Sequence, residues 1–118
     1  FARSDYSDES FRVRLGKILA GIGGSEGDEQ LNSFLQLCSY CRGKGYDDPE
    51  AWTLVNSHAS SIEASYEVAN RVFYFAVPPD VFAAAGSAIK SKCMSKNGWN
   101  RMIIEKPFGR DSESSLKM

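Results

Sequence analysis

The sequence predicts an α/β fold built on a parallel sheet, and three observations carry that prediction. Residues 71–77 (Arg-Val-Phe-Tyr-Phe-Ala-Val) form a run that is apolar almost throughout and rich in β-formers. A second short apolar run, Met102-Ile103-Ile104, has the character of a buried parallel strand. Stretches with helical spacing lie before and between these runs, and strands alternating with helices make βαβ units. The size fits as well, since 118 residues with 42% hydrophobic and 25% charged content suit one soluble globular unit.

Taken in order, Phe1-Ala2-Arg3-Ser4 is too short for an element but fits the last residues of a strand. Ser7 followed by Asp8 and Glu9 starts a helix, because acids favour the positive end of the helix dipole. Phe11, Leu15, Ile18, Leu19 and Ile22 then share one face, with Arg12, Arg14 and Lys17 opposite, so a helix is expected over 7–20. Gly21, Gly23, Gly24 and Gly27 make 21–27 a loop. Leu31, Phe34, Leu35 and Cys38 lie on one stripe and predict a second helix over 28–38. A short strand is expected at 39–41, and Gly43-Lys44-Gly45 reads as a turn. Asp48-Pro49-Glu50 supplies an N-cap, a proline at the first helical position and an acid. That helix should run to about residue 65, with Trp52, Val55, Ala59 and Ile62 facing inward.

Pro78-Pro79 ends the 71–77 strand. A helix over 79–92 follows, burying Val81, Phe82, Ala85 and Ile89. Lys96-Asn97-Gly98 turns the chain into a strand at 101–105, which Pro107 stops, and Asp111 or Ser112 would cap a last helix. The chain shows no internal repeat and no low-complexity tract.

A net charge of -1 gives no reason to expect nucleic acid or a membrane surface as a partner. No apolar run approaches spanning length, and the N-terminus lacks a signal-peptide layout. Three cysteines, an odd number, argue against a disulfide framework and for a reducing compartment.

Four features compete as sites. The glycine loop 21–27 follows a helix and is spaced G-x-G-G-x-x-G, whereas a dinucleotide fingerprint needs G-x-G-x-x-G directly after a strand. A surface connection is the better reading. Cys38-Ser39-Tyr40-Cys41 matches C-x-x-C, but Cys38 falls at a helix C-terminus, where the dipole disfavours a thiolate, so packing cysteines are expected. His58, the sole histidine, lies mid-helix beside Val55 and Ile62 and reads as structural. Lys106 is different. With Glu105 it stands at the carboxyl end of a strand, where open α/β sheets bind their ligands, and Pro107 holds it there.

Several stretches together resemble the glucose-6-phosphate dehydrogenase family. The most specific is Glu105-Lys106-Pro107-Phe108-Gly109, preceded by Gly98-Trp99-Asn100-Arg101 and followed by Arg110-Asp111. Asn70-Arg71-Val72-Phe73-Tyr74-Phe75-Ala76-Val77-Pro78-Pro79 is similar to the family's Asn-Arg-x-Phe-Tyr-x-Ala-x-Pro-Pro strand. Cys93-Met94-Ser95, the Gly-x-Tyr-Asp-like Gly43-Lys44-Gly45-Tyr46-Asp47 and the Ala2-Arg3 segment extend the match over most of the chain.

The resemblance implies that residues 1–118 are a partial NADP-binding Rossmann-like domain, a doubly wound parallel sheet lacking its first βα unit. It implies oxidation of glucose 6-phosphate to its lactone with hydride passing to NADP. Lys106 would touch both sugar and nicotinamide as the catalytic and substrate-binding residue. Arg3 would hold the adenosine 2′-phosphate through its bidentate fork, and Val77, Pro78, Pro79, Phe82, Glu105 and Lys106 would line the cofactor site. The family often has tyrosine where this chain has Phe82, which lacks the hydroxyl. No metal is implied. The parent would be a cytoplasmic homodimer or homotetramer that needs neither nucleic acid nor membrane. The phosphate loop is expected before Phe1 and the catalytic histidine after Met118, so these residues alone should neither fold stably nor catalyse. Alternatives are a non-catalytic NADP-binding or regulatory relative, a lumenal hexose-6-phosphate dehydrogenase, and a domain used only for assembly.

Overall fold

Residues 1–22 and 28–106 are described by the computed structural model, and they divide into two units, Phe1–Arg42 and Gly43–Met118. In the first, α1 (Asp8–Ala20) begins where expected, at N-cap Ser7. The Ser7 hydroxyl accepts from the Ser10 amide at 3.2 Å and the Ser10 hydroxyl accepts from the Ser7 amide at 2.9 Å. Two amides that the helix itself leaves unpaired are thereby satisfied. Helix α2 (Glu29–Leu37) starts at Asp28, whose Oδ1 accepts from Gln30 N at 2.8 Å. The two helices approach closely at Gly16, where an added Cβ would lie 3.1 Å from Leu35 Cδ1.

Arg12, expected on the solvent side of α1, instead donates from Nε to the Cys38 carbonyl at 2.7 Å. It satisfies a carbonyl at the end of α2 that has no partner within the helix. The strand expected at 39–41 does not form; one parallel bridge joins Ala2 to Arg42, with Ala2 N–H bonded to the Cys41 carbonyl at 3.2 Å. Ile18 and Ile22, on the apolar face expected of α1, are exposed.

The second unit carries all the buried apolar side chains of the described residues: Ala51, Trp52, Ala69, Phe75, Phe82, Ala85, Ala88, Ile89 and Cys93. Helix α3 (Pro49–Glu63) is capped by Asp48, which accepts from Ala51 N, Lys44 N and Glu50 N, and these bonds hold its carboxyl below the usual range. Trp52 is buried with its indole N–H on the Tyr46 carbonyl at 2.8 Å. Ile62 faces outward rather than inward, because the inward stripe of α3 near its end is polar: Asn56, Ser60 and Glu63.

Strand β1 (Arg71–Phe75) and strand β2 (Asn100–Ile104) pair in parallel, Arg71 opposite Asn100 through Phe75 opposite Ile104. Between them the chain makes one 3₁₀ turn (Pro79–Val81) and then α4 (Phe82–Lys92), completing a βαβ unit. β1 stops two residues earlier than the apolar run, since Pro78 and Pro79 offer no N–H to continue a ladder. The same prolines delay the α-helix to Phe82.

Arg71, Phe73 and Phe75 face the helices, with Phe75 packed on Phe82 at a ring separation of 5.8 Å. Val72, Tyr74 and Ile103 share the other face and are about half exposed. The expected burial of 102–104 is thus not met among the described residues: Met102, Ile103 and Ile104 are all exposed. Among the described residues the sheet has two strands, so β2 has no second neighbour there. The expected helix after Asp111 and most of the glycine loop, residues 23–27, lie outside the described residues.

Candidate functional site

Both strands run in the same direction, so their carboxyl ends lie together, and five of the expected site residues follow those ends directly. Val77, Pro78 and Pro79 leave β1; Glu105 and Lys106 leave β2. Glu105 and Lys106 are exposed, Val77 and Pro79 half-buried and Pro78 exposed. Phe82 opens α4 at the same end but is only 6% exposed, seated on Phe75, so it backs this edge through packing. Arg3 belongs to the first unit. It follows the Ala2 bridge and is exposed, and its neighbours are fixed: Tyr40 Oη donates to the Ser4 carbonyl at 2.8 Å, and Arg42 pairs with Asp5 at 3.0 Å.

Two residues that sequence reasoning passed over hold this edge in place. Tyr74 donates its hydroxyl to Glu105 Oε1, across the strand pair. That carboxylate makes loss of the phenol proton harder and raises the Tyr74 pKa. The contact follows from register, for Tyr74 lies opposite Ile103 and Glu105 is two residues on, hence on the same face.

Arg71 opens the otherwise apolar run and has no role of its own in the sequence reading. Its side chain is 8% exposed and all five of its N–H donors are used. Nε and Nη2 grip both oxygens of Glu63 at 2.7 and 2.6 Å; Nη1 reaches Asn56 Oδ1 and the Cys93 carbonyl, both at 2.7 Å, and Nη2 also reaches Ser60 Oγ at 3.2 Å. The hydrogen bonds from Arg71 hold the Glu63 carboxyl below its ordinary range, and the Glu63 carboxylate raises the Arg71 guanidinium further. A polar stripe at 56, 60 and 63 on one face of α3, aimed at a strand that opens with arginine, was the available signal.

The turn before β2 is structural too. Ser95 Oγ donates to the Ala69 carbonyl at 2.5 Å, Asn97 Nδ2 to the Glu67 carbonyl at 3.0 Å, and Trp99 N–H to Asn70 Oδ1 at 3.0 Å. These bonds tie the amino ends of the two strands together and thereby set the register carried to their carboxyl ends.

His58 is exposed in mid-α3, its carbonyl taken by Ser61 Oγ, and is not at a strand end. Cys38 and Cys41 are half-buried without a disulfide, and Cys93 is buried under Arg71. Among the described residues, no three His, Cys, Asp or Glu side chains are grouped to hold a metal, and no helix is long and apolar enough to cross a membrane.

Residues 1–118 match the family profile described as glucose-6-phosphate dehydrogenase, NAD binding domain. The chain is 40% identical to glucose-6-phosphate 1-dehydrogenase of Schizosaccharomyces pombe, over 100% of this chain and 24% of the relative. It is 38% identical to the cytoplasmic isoform of Solanum tuberosum over 100% of this chain and 24% of that one. With a chloroplastic isoform of Arabidopsis thaliana it shares 36% identity over 100% of this chain and 20% of that one. A solved glucose-6-phosphate dehydrogenase in complex with its substrate glucose-6-phosphate superposes with a TM-score of 0.86 at 33% identity, over 98% of this chain and 24% of that chain. The fold is accordingly a partial Rossmann-like α/β fold, and the profile is that of a domain for a nicotinamide dinucleotide. The chain spans about a quarter of the length of the curated relatives it matches.

Proposed function

Because this chain belongs to the glucose-6-phosphate dehydrogenase family through its NAD-binding domain, we propose that residues 1–118 bind NADP in an enzyme that oxidises glucose 6-phosphate to 6-phosphogluconolactone. When bound, the nicotinamide would supply the hydride acceptor for the C1 hydrogen of the sugar, and the C1 hydroxyl proton would go to a base. The observation that carries this reading is the common carboxyl end of β1 and β2, which brings Glu105 and Lys106 beside Val77, Pro78 and Pro79. Ligands of open α/β sheets bind at such an edge.

Each residue has a role suited to its chemistry. The Lys106 ammonium is a compact charge with three donors, fit to hold a sugar oxygen while touching the nicotinamide ring. Glu105 accepts from the cofactor. Val77, Pro78 and Pro79 line its path with backbone that has little freedom to move, and Phe82 supports them from behind. Arg3 offers the bidentate fork that a 2′-phosphate requires and that NAD cannot use. The base is not His58, which sits in mid-α3; we assign it to a part of the protein other than these residues. We place the enzyme in the cytoplasm as a homodimer or homotetramer, with no metal, nucleic acid or membrane partner.

Lys106→Ala in the full-length protein tests the reading. It should lower kcat/KM for glucose 6-phosphate by at least ~100-fold, on the order of 3 kcal/mol of transition-state stabilisation. A variant within about threefold of wild type would remove Lys106 from the site.

A further inference from the structure

We propose that Tyr74 is a positioning residue that fixes the Glu105 carboxylate against the nicotinamide end of the bound dinucleotide. The inference deepens the reading above and rests on it, since it takes Glu105 to face the cofactor. Glu105 is the first residue past β2, beyond the last ladder pair, Phe75 with Ile104. A glutamate there has three side-chain torsions and an exposed position, so on its own it would sample many directions. Tyr74 removes that freedom. Its ring is rigid, with two torsions, and it stands on β1 with a fixed register opposite Ile103, which carries Glu105 on the same face two residues on.

Among the described residues the hydroxyl donates to Oε1, and a carboxylate has two oxygens. Oε2 is left as an acceptor turned by the first bond, and the donor it suits at the end of a nicotinamide dinucleotide is the carboxamide NH₂. The raised Tyr74 pKa agrees with a phenol that stays protonated as the donor. A packing role does not account for the hydroxyl. Tyr74 is 57% exposed, and among the described residues its hydroxyl bonds Glu105 rather than any group of the core.

The test is a double-mutant cycle in the full-length protein, reading kcat and the Kd for NADP. Tyr74→Phe keeps the ring and removes the donor; it should weaken NADP about tenfold. In a Glu105→Ala background the same change should alter the Kd less than about twofold, because the acceptor that makes the hydroxyl matter is gone. A purely structural tyrosine would cost the same in both backgrounds. That result, or a Tyr74→Phe Kd within about twofold of wild type, overturns the proposal.

A second measurement needs no substrate. The phenolate absorbance difference between wild type and Tyr74→Phe should show Tyr74 titrating above an ordinary tyrosine, and Glu105→Ala should bring it back towards the ordinary range. Equal titration in both backgrounds overturns the contact. Loss of glucose 6-phosphate turnover in the wild type would refute the dehydrogenase reading alone, since NADP binding and the phenol titration are measured without the sugar.

Discussion

Glu63→Ala should loosen the βαβ unit locally, and the cost can be worked from the contacts it removes. Glu63 holds two of the five donors of Arg71, at 2.7 and 2.6 Å, and the Arg71 side chain is 8% exposed against 22% for Glu63. Removing one partner of a buried pair costs roughly 3–5 kcal/mol, because the other charge is stranded. The lower end applies here, since Glu63 is partly exposed and Asn56, Ser60 and the Cys93 carbonyl still hold Arg71. About 3 kcal/mol corresponds to a factor of about a hundred in local opening. Hydrogen exchange in the full-length protein, read on peptides covering Arg71–Phe75, measures it directly. Arg71→Met combined with Glu63→Leu should recover more than half of the protection, because no charge is then left buried. Exchange at β1 within about threefold of wild type in Glu63→Ala would refute the reasoning.

The same pair sets a pH dependence. Hydrogen bonding from Arg71 holds the Glu63 carboxyl below its ordinary value of 4.5, so its stabilisation is complete above that pH and is lost as pH falls through the lowered folded value. Glu63→Gln should flatten that acid limb in a thermal-denaturation series, and an identical limb in both proteins would rule the pair out as its source. Arg3→Ala should weaken NADP far more than NAD, so the ratio of the two dissociation constants is the readout, and an unchanged ratio assigns the 2′-phosphate to another residue. Gly98→Ala should cost about 1–3 kcal/mol, because a Cβ there collides with the Ala69 carbonyl oxygen and lies 2.5 Å from its carbon. An unchanged midpoint of thermal unfolding would show that the backbone yields.

What the sequence made legible was local. Ser7 and Asp48 announce their helices because a cap is written within three or four residues, and the paired prolines after Val77 end a strand by chemistry alone. Of the four residues that spacing assigns to the buried face of the helix over 79–92, Phe82, Ala85 and Ile89 are buried in α4, whereas Val81 is half-buried in the 3₁₀ turn before it. Properties that depend on a distant partner were harder to read. Arg71 looked incidental within an apolar run because its partners lie 8 to 22 residues away. Ile62 and Ile18 obey helical periodicity yet face outward, since periodicity defines a stripe without saying what covers it. The candidate site was legible in the same divided way. Glu105 and Lys106 could be placed at a strand end by pattern, whereas Tyr74 could be linked to them only once the parallel register was known.

The central claim is that these residues serve a dinucleotide-dependent oxidation of a sugar phosphate, and absorbance at the reduced-nicotinamide band tests it most directly. Full-length protein, mixed with glucose 6-phosphate and either NADP or NAD, should reduce NADP in a sugar-dependent manner and at a higher kcat/KM than NAD. No reduction of either dinucleotide on addition of glucose 6-phosphate, by protein that is folded, would contradict the account.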